Sequence, residues 1–587
     1  MDKRLSEILE GKGGNYLFPF MWLHEGGREG LSERIQRIRD SGCRAFCVES
    51  RPHEGFGKQE WWDDMEVILE EARKRDMKVW VLDDKHFPTG YANGILKEKY
   101  PERRQWFLRE HHVDVAGPME GASVLVPKLD REDDEELLAA VAYRRGDGAE
   151  LLAGEGILLE NMAEGLLFWD VPEGFYRIFF LIKTRKGGRE YINCIDRESV
   201  RALIEAVYEP HYEHLSRYFG NTLTGFFSDE PGLGSSHVGP WGQDTGFHYR
   251  TVGQPGVAFP WSDDILGKMA EQRLGQKMQP EQKPGEGETD EARNLAMLGC
   301  LPGLWYPMAD EASARIRLSY MDAVTRLWER NFSLQLGEWC RNHGVLYTGH
   351  VIEDMNAHMR LGCAGGHYFR SLGGQDISGI DIVLHQVMPG FADMEVSARI
   401  AKGKAGNAFF HYVLPKLGTS LARTEPRMQG RAMCEVFGAY GWAEDTACMK
   451  WLMDFLLVRG INRFVPERYP EELYLLAERF SGKGLPVFWL AEDGCRKSET
   501  GEAMELERLS AAVRERQLAH LYVKDAPHLR IGRFVREKAF WFMLFWEDVQ
   551  TDVDETIDLP CQGDFLRFDL LGKSPGIIRR TAEYGYG

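Results

Sequence analysis

Short apolar runs that stop on an ionisable residue recur along this chain, and a helix or a long loop follows each one. FPFMWLH (18–24) ends on His24, AFCV (45–48) on Glu49, and KVWVL (78–82) on Asp83 and Asp84. Between them, LSERIQRIRDSG puts Leu31, Ile35 and Ile38 on one side of a helix, and a second helix is predicted from about Trp61 to Lys74. The first three runs are about 30 residues apart, which suits parallel strands with helical crossovers.

The pattern resumes later. A helix from Asp196, its predicted N-cap, to Gly220 feeds into TLTGFFSDEPG (222–232). That run is apolar until Asp229 and Glu230. Pro231 cannot continue a ladder, and Gly232 allows a sharp exit. A fifth strand, VLYTGHVIED, carries His350, Glu353 and Asp354 at its end. GIDIVLHQVMPG ends on His385 and Gln386, GRAMCEVFGAYGW contains Glu435, and GINRFVPE closes on Glu467. Eight such units predict an α/β fold, a (β/α)8 TIM barrel, whose catalytic groups gather at the C-terminal ends of the strands. No GxGxxG follows the first strand, and Gly572-Lys573-Ser574 lacks the upstream glycine of a P-loop, so nucleotide folds are disfavoured.

Two excursions interrupt the repeat. Strands 1–3 are assigned to residues 1–110, and 111–195 to a β-rich insertion after strand 3, from runs such as LLAAVAYRR and FYRIFFLIKT. Strands 4–8 are assigned to 196–484, with a loop and helical insertion over 233–310 that includes the polar segment QKMQPEQKPGEGETDEA. Beyond a helix near Glu502–His520, residues 485–587 predict a C-terminal β-sandwich-like domain, expected to be incomplete.

The 587 residues exceed one hydrophobic core, and 43% hydrophobic with 28% charged residues is the balance of a globular protein. A net charge of −19 argues against nucleic acid and against basic membrane patches. No apolar run approaches the roughly 20 residues that span a bilayer, and MDKRLSEILEGKGGNY lacks the apolar core of a secretory signal. The ten cysteines match no zinc or redox spacing, so a cytoplasmic protein is expected.

Glu230 on the fourth strand and Glu435 on the seventh would face each other across a barrel mouth. A facing carboxyl pair suits cleavage of a glycosidic bond: one protonates the leaving oxygen, while the other attacks or activates water. Asp229 could raise the pKa of Glu230 by like-charge repulsion. Candidate substrate-binding residues are His24, Glu49, Asp83, Asp84, Asp229, His350, Glu353, Asp354, His385, Gln386, Tyr440 and Trp442, the last as a sugar platform. Other roles are open to several of them. Glu435 could pair with Arg431, His350 and His385 could be core histidines, and Glu353 and Asp354 could cap a helix. Trp22, Trp61, Trp62 and Trp442 could either stack on a sugar or fill core. His24, Asp83 and His350 could ligate a metal, although their spacing assigns none. Two further functions therefore stand beside a glycosidase: a non-catalytic carbohydrate-binding protein on a degenerate barrel, and a metal-dependent hydrolase.

The chain resembles bacterial glycoside hydrolases grouped around the α-L-rhamnosidases of glycoside hydrolase family 106 and their unclassified barrel relatives. WLHEGG, EGFGKQEWWDDMEVILEEARKRDMKVWVLDDKHFPTGYANG, FFSDEPG, GHVIEDMNAHMR, GIDIVLHQVMPG and CEVFGAYGW carry the resemblance, over about residues 15–470. It implies a barrel with a β-rich insertion, exo-acting hydrolysis of a terminal sugar, and carboxylate catalysis by Glu230 and Glu435. Family 106 implies inversion and an association with calcium; no other cofactor is expected. Glutamates on strands four and seven also resemble the large retaining clan, in which Asn stands where this chain has Asp229. The oligomeric state is not indicated.

Overall fold

The computed structural model describes residues 17–23, 30–51, 53–146, 152–186, 190–234, 252–276, 290–308, 312–352, 365–389, 409–440 and 446–467, and four strands nearer the C-terminus. The chain has a mixed α/β architecture. A five-stranded parallel sheet has the order β1 (Phe20–Trp22), β2 (Ala45–Glu49), β3 (Lys78–Leu82), β9 (Leu223–Asp229), β11 (Leu346–His350). A three-stranded parallel sheet follows: β12 (Ser378–Ile382), β13 (Ala432–Val436), β14 (Arg463–Pro466).

The hydrogen-bonded ladder is thus two parallel sheets, not the one closed eight-stranded ladder that the strand count predicts. At each junction a residue flanking one strand bonds a residue within the other. The Asp376 amide donates to the Tyr347 carbonyl at 2.8 Å, and the Phe18 amide donates to the Phe464 carbonyl at 3.0 Å. Leu17 and Phe464 form an isolated parallel bridge.

Alternation along the strands sorts their side chains into two cores. One phase supplies a single buried cluster: Phe18, Phe20, Ala45, Cys47, Trp80, Leu82, Phe227, Ile377, Met433 and Val465. It draws on both sheets. The other phase, including Val48, Val81, Phe226, Ile380 and Cys434, packs with the apolar faces of the helices, such as Ile35, Ile38, Met65 and Leu69. Burial on both faces explains why these strands read as continuous apolar runs. Gly225 permits the close approach inside: a Cβ there would lie 2.4 Å from the Leu346 carbonyl oxygen and 2.4 Å from the Trp80 ring.

The insertion is a six-stranded sheet of β4 (Trp106–Leu125), β5 (Glu136–Arg145), β6 (Leu152–Leu158), β8 (Leu166–Thr184) and β10 (Phe259–Trp261), with β7 (Met162–Ala163) on β8. LLFWDVP and FYRIFFLIKT, which read as separate runs, are one long strand paired antiparallel to β4. The second excursion also contributes to this sheet, since β10 pairs with β4. Near the C-terminus, β15 (Leu529–Arg536) pairs antiparallel with β16 (Ala539–Trp546), and β17 (Phe565–Arg567) with β18 (Gly576–Ile578). The helix predicted near 502–520 and most of the polar segment after Gln276 lie outside the described residues. Among the described residues no helix is long and apolar enough to cross a membrane.

Candidate active site

One step beyond the inner apolar cluster, the same strand phase turns ionisable. Cys47 is followed two residues later by Glu49, Phe227 by Asp229, Thr348 by His350, Gly379 by Asp381, Met433 by Glu435, and Val465 by Glu467. Parallel register sets neighbours side by side: His350 lies opposite Asp229, and Asp381 opposite Glu435. Glu230 follows directly and takes a left-handed backbone with φ of 47°. A non-glycine residue held there costs on the order of 1 kcal/mol, and such strain gathers at functional sites. Leu384, His385, Phe437 and Ala439, just past β12 and β13, also have positive φ.

His350 is central. Its Nε2 lies 2.9 Å from Glu435 Oε2 and 3.6 Å from Asp229 Oδ1. Its Nδ1 lies 3.2 Å from the Val351 carbonyl oxygen, so both ring nitrogens face acceptors. One ligand atom each from Glu230, His350 and Asp381 lies within 4.8 Å of the others, so Glu230 belongs to this group. Arg51 closes the other side. Its guanidinium donates to both Glu49 oxygens at 2.5 Å and to Asp229 Oδ2 at 2.9 Å.

These neighbours pull the carboxyls apart. Burial raises Asp229 to about 6; Arg51 and His350 limit the rise, while Glu435 and Glu49 add to it. Burial also pushes Glu435 upward, but a hydrogen bond from Glu467 and the His350 imidazole outweigh it and hold Glu435 below the usual range. Glu467 is held well above that range by burial and by the Glu435 charge.

Other candidate residues have partners of their own. Asp83 occupies the opposite strand phase, behind the sheet. It accepts hydrogen bonds from Thr89 Oγ1 at 2.7 Å, from the Tyr208 hydroxyl at 2.5 Å, and from Ser228 Oγ. Asp84 accepts from the backbone amides of Lys85, Gly90, Ala92 and Asn93, and so folds the Pro- and Gly-rich loop after β3. Gln386 accepts from the Val383 amide at 3.1 Å. The buried Tyr440 packs its ring 4.9 Å from that of His385 and donates to the Val387 carbonyl at 2.8 Å. Trp61 and Trp62 are core. Arg431 bonds the Met428 and Arg427 carbonyls. His24, Glu353, Asp354 and Trp442 lie outside the described residues.

Arg51 and Asp381 are members that residue-type reasoning did not select, and Glu467 was placed at a strand end without a role. Glu467 ends the last apolar run, and Asp381 is in phase two residues after Gly379, so alternation signals both. Arg51 follows Glu49 out of the strand, and no sequence pattern marks it.

Calcium does not fit these residues. Among the described residues, each group that could hold an ion, Asp229/His350/Glu435 or Glu230/His350/Asp381, includes a histidine nitrogen, whereas calcium takes six to eight oxygens. Of the trio His24, Asp83 and His350, hydroxyl donors hold Asp83 on the strand phase opposite to that of His350, and His24 lies outside the described residues.

No protein-family model and no curated protein matches the sequence. Among solved structures, a rhamnosidase from Novosphingobium sp. PP1Y is similar with a TM-score of 0.51 at 11% identity, over 79% of this chain and 56% of that one. A β-galactosidase from Halorubrum lacusprofundi aligns at TM-score 0.40 and 10% identity, over 80% of this chain and 58% of that one. One from Marinomonas ef1 aligns at TM-score 0.40 and 12% identity, over 82% and 62%. This chain therefore spans less than two thirds of the length of each. The first likeness is one of fold: the chain has a glycoside-hydrolase-like fold.

Proposed function

We propose that the protein is a glycoside hydrolase that removes a terminal sugar from an oligosaccharide or glycoconjugate, in the manner of an α-L-rhamnosidase. Glu230 is the proton donor, and Glu435 is the nucleophile or base. The observation that carries this reading is a set of buried carboxyls gathered on one imidazole: Glu435 at 2.9 Å and Asp229 at 3.6 Å from His350 Nε2, with Glu230 and Asp381 each offering an atom within 4.8 Å of His350; their surroundings push Glu435 low and Asp229 and Glu467 high. Carboxyls pushed apart in this way mark acid and base roles in one site. The apolar cluster drawn from both sheets supports the closed (β/α)8 barrel that would put these groups at one mouth.

In this mechanism Glu435 meets the electron-poor sugar carbon as a carboxylate, steadied by His350. Glu230 delivers its proton to the departing oxygen. Arg51 fixes Asp229 beside Glu230. The test is release of nitrophenol from a panel of aryl glycosides, α-L-rhamnoside included, with the anomer of the product followed by NMR. Turnover that disappears in both Glu230→Gln and Glu435→Gln supports the assignment. Full activity in both variants contradicts it.

A further inference from the structure

We propose that Glu467 is a positioning residue for Glu435: its carboxyl, seated in the gap that Gly438 leaves open, carries a proton and donates it in a hydrogen bond to the Glu435 carboxylate. This rests on the glycosidase reading for its consequence, though not for its geometry. Glu467 follows β14, next to β13, and its amide donates to the Val436 carbonyl at 2.9 Å. The two side chains are hydrogen-bonded to each other. Two carboxyl groups form such a bond only when one of them keeps its proton.

Gly438 makes room for the arrangement. A Cβ at that position would lie 2.2 Å from Glu467 Oε2 and 2.7 Å from its Cδ. The Gly438 carbonyl accepts from the Leu384 amide at 3.0 Å, which ties this backbone to the chain beyond β12. The titratable and charged groups facing the pair are His350 from β11, Asp229 from β9 with Glu230 directly after it, Asp381 from β12, and beyond them Glu49 from β2 with Arg51 two residues later. His350 and Arg51 favour the negative charge on Glu435, while Asp229 opposes a second charge on Glu467. The proton therefore rests on Glu467. Glu435 stays ionised with one oxygen oriented, without a further positive charge next to the reacting carbon.

The experiment compares wild type, Glu467→Gln, Glu467→Leu and Gly438→Ala on the best aryl glycoside of the panel. Gln keeps a donor, so Glu467→Gln is expected to stay within about threefold of wild type in kcat, with the acid limb of its pH profile in place. Glu467→Leu is expected to lose about ten- to a hundredfold in kcat, the range for a lost hydrogen bond to a charged group, with KM little changed. Its acid limb should move up by about one pH unit, as Glu435 becomes easier to protonate. Gly438→Ala, which leaves every ionisable group in place, should show the same upward move. An unmoved limb in Glu467→Leu, or equal losses in Gln and Leu, would overturn the proposal.

Should wild type turn over no aryl glycoside, the glycosidase reading fails and stability judges the pair. A proton held in the folded state and lost from the unfolded chain costs stability as pH rises through the carboxylate range. Glu467→Gln lacks that cost, so its Tm should gain on wild type between pH 5 and 8. A Tm gap independent of pH would overturn the shared proton.

Discussion

Asp83 and Glu435 are both buried carboxyls at the ends of parallel strands, yet their partners differ in kind. Asp83 is surrounded by neutral donors, the hydroxyls of Thr89, Tyr208 and Ser228. Those donors come from the loop after β3, a helix and a neighbouring strand, so the carboxyl ties three elements together. Glu435 is surrounded by groups that themselves ionise: His350, Glu467 and, through His350, Asp229. The strand phase decides which is which. Asp83 continues the face that packs on helices, and Glu435 continues the inner face. Burial alone therefore does not separate the two; on the proposed reading, the charge-bearing partners of Glu435 do.

The sharpest way to break this contrast is to remove each carboxyl. Glu435→Gln should lower turnover by at least about 10³-fold, on the order of 4 kcal/mol in the barrier, with little change in the unfolding midpoint. Asp83→Ala should do the reverse. It leaves three buried hydroxyls without their acceptor, which amounts to about 3 kcal/mol of stability by denaturant titration, while folded protein keeps its kcat. If Asp83→Ala instead abolishes turnover in a protein as stable as wild type, the division between the two regions fails.

The pH dependence sharpens it further. Burial raises Asp83 to about 7, so the folded protein holds a proton that the unfolded chain releases near pH 4. Its contribution to stability is fully present below that pH and falls as pH rises through about 7. Asp83→Asn removes the titration, so wild type should lose stability relative to this variant between pH 4 and 7. On the reactive side, Arg51→Met takes the counter-ion from Asp229 and Glu49. Asp229 should rise above about 6, and kcat should fall about tenfold, read from a pH–rate profile. The smallest effect is expected for Tyr208→Phe, which removes one of the Asp83 donors: about 1 kcal/mol of stability, with unchanged kinetics.

Much of the strand plan was legible because each strand is short, apolar on both faces and closed by an ionisable residue. The ends at Glu49, Asp229, His350, Glu435 and Glu467 lie in phase, and counting by two from Phe227 or Met433 finds them. Asp83 was misleading for the same reason. It also ends a strand, but it falls one residue after the inner-facing Leu82, and only the phase separates the two cases. The partners of each group were not legible. Arg51 reaches Asp229 across 178 residues of sequence. The role of Gly438 appears only once Glu467 is folded against it. Nor was it legible that Asp229, the neighbour expected to act on Glu230, is itself paired with Arg51.

The decisive comparison is nitrophenol release across the aryl glycoside panel by wild type and by Glu435→Gln, at matched unfolding midpoints. Wild type should turn over at least one glycoside, with a loss of about 10³-fold or more in the variant. Equal rates in the two proteins would rule out Glu435 as nucleophile or base.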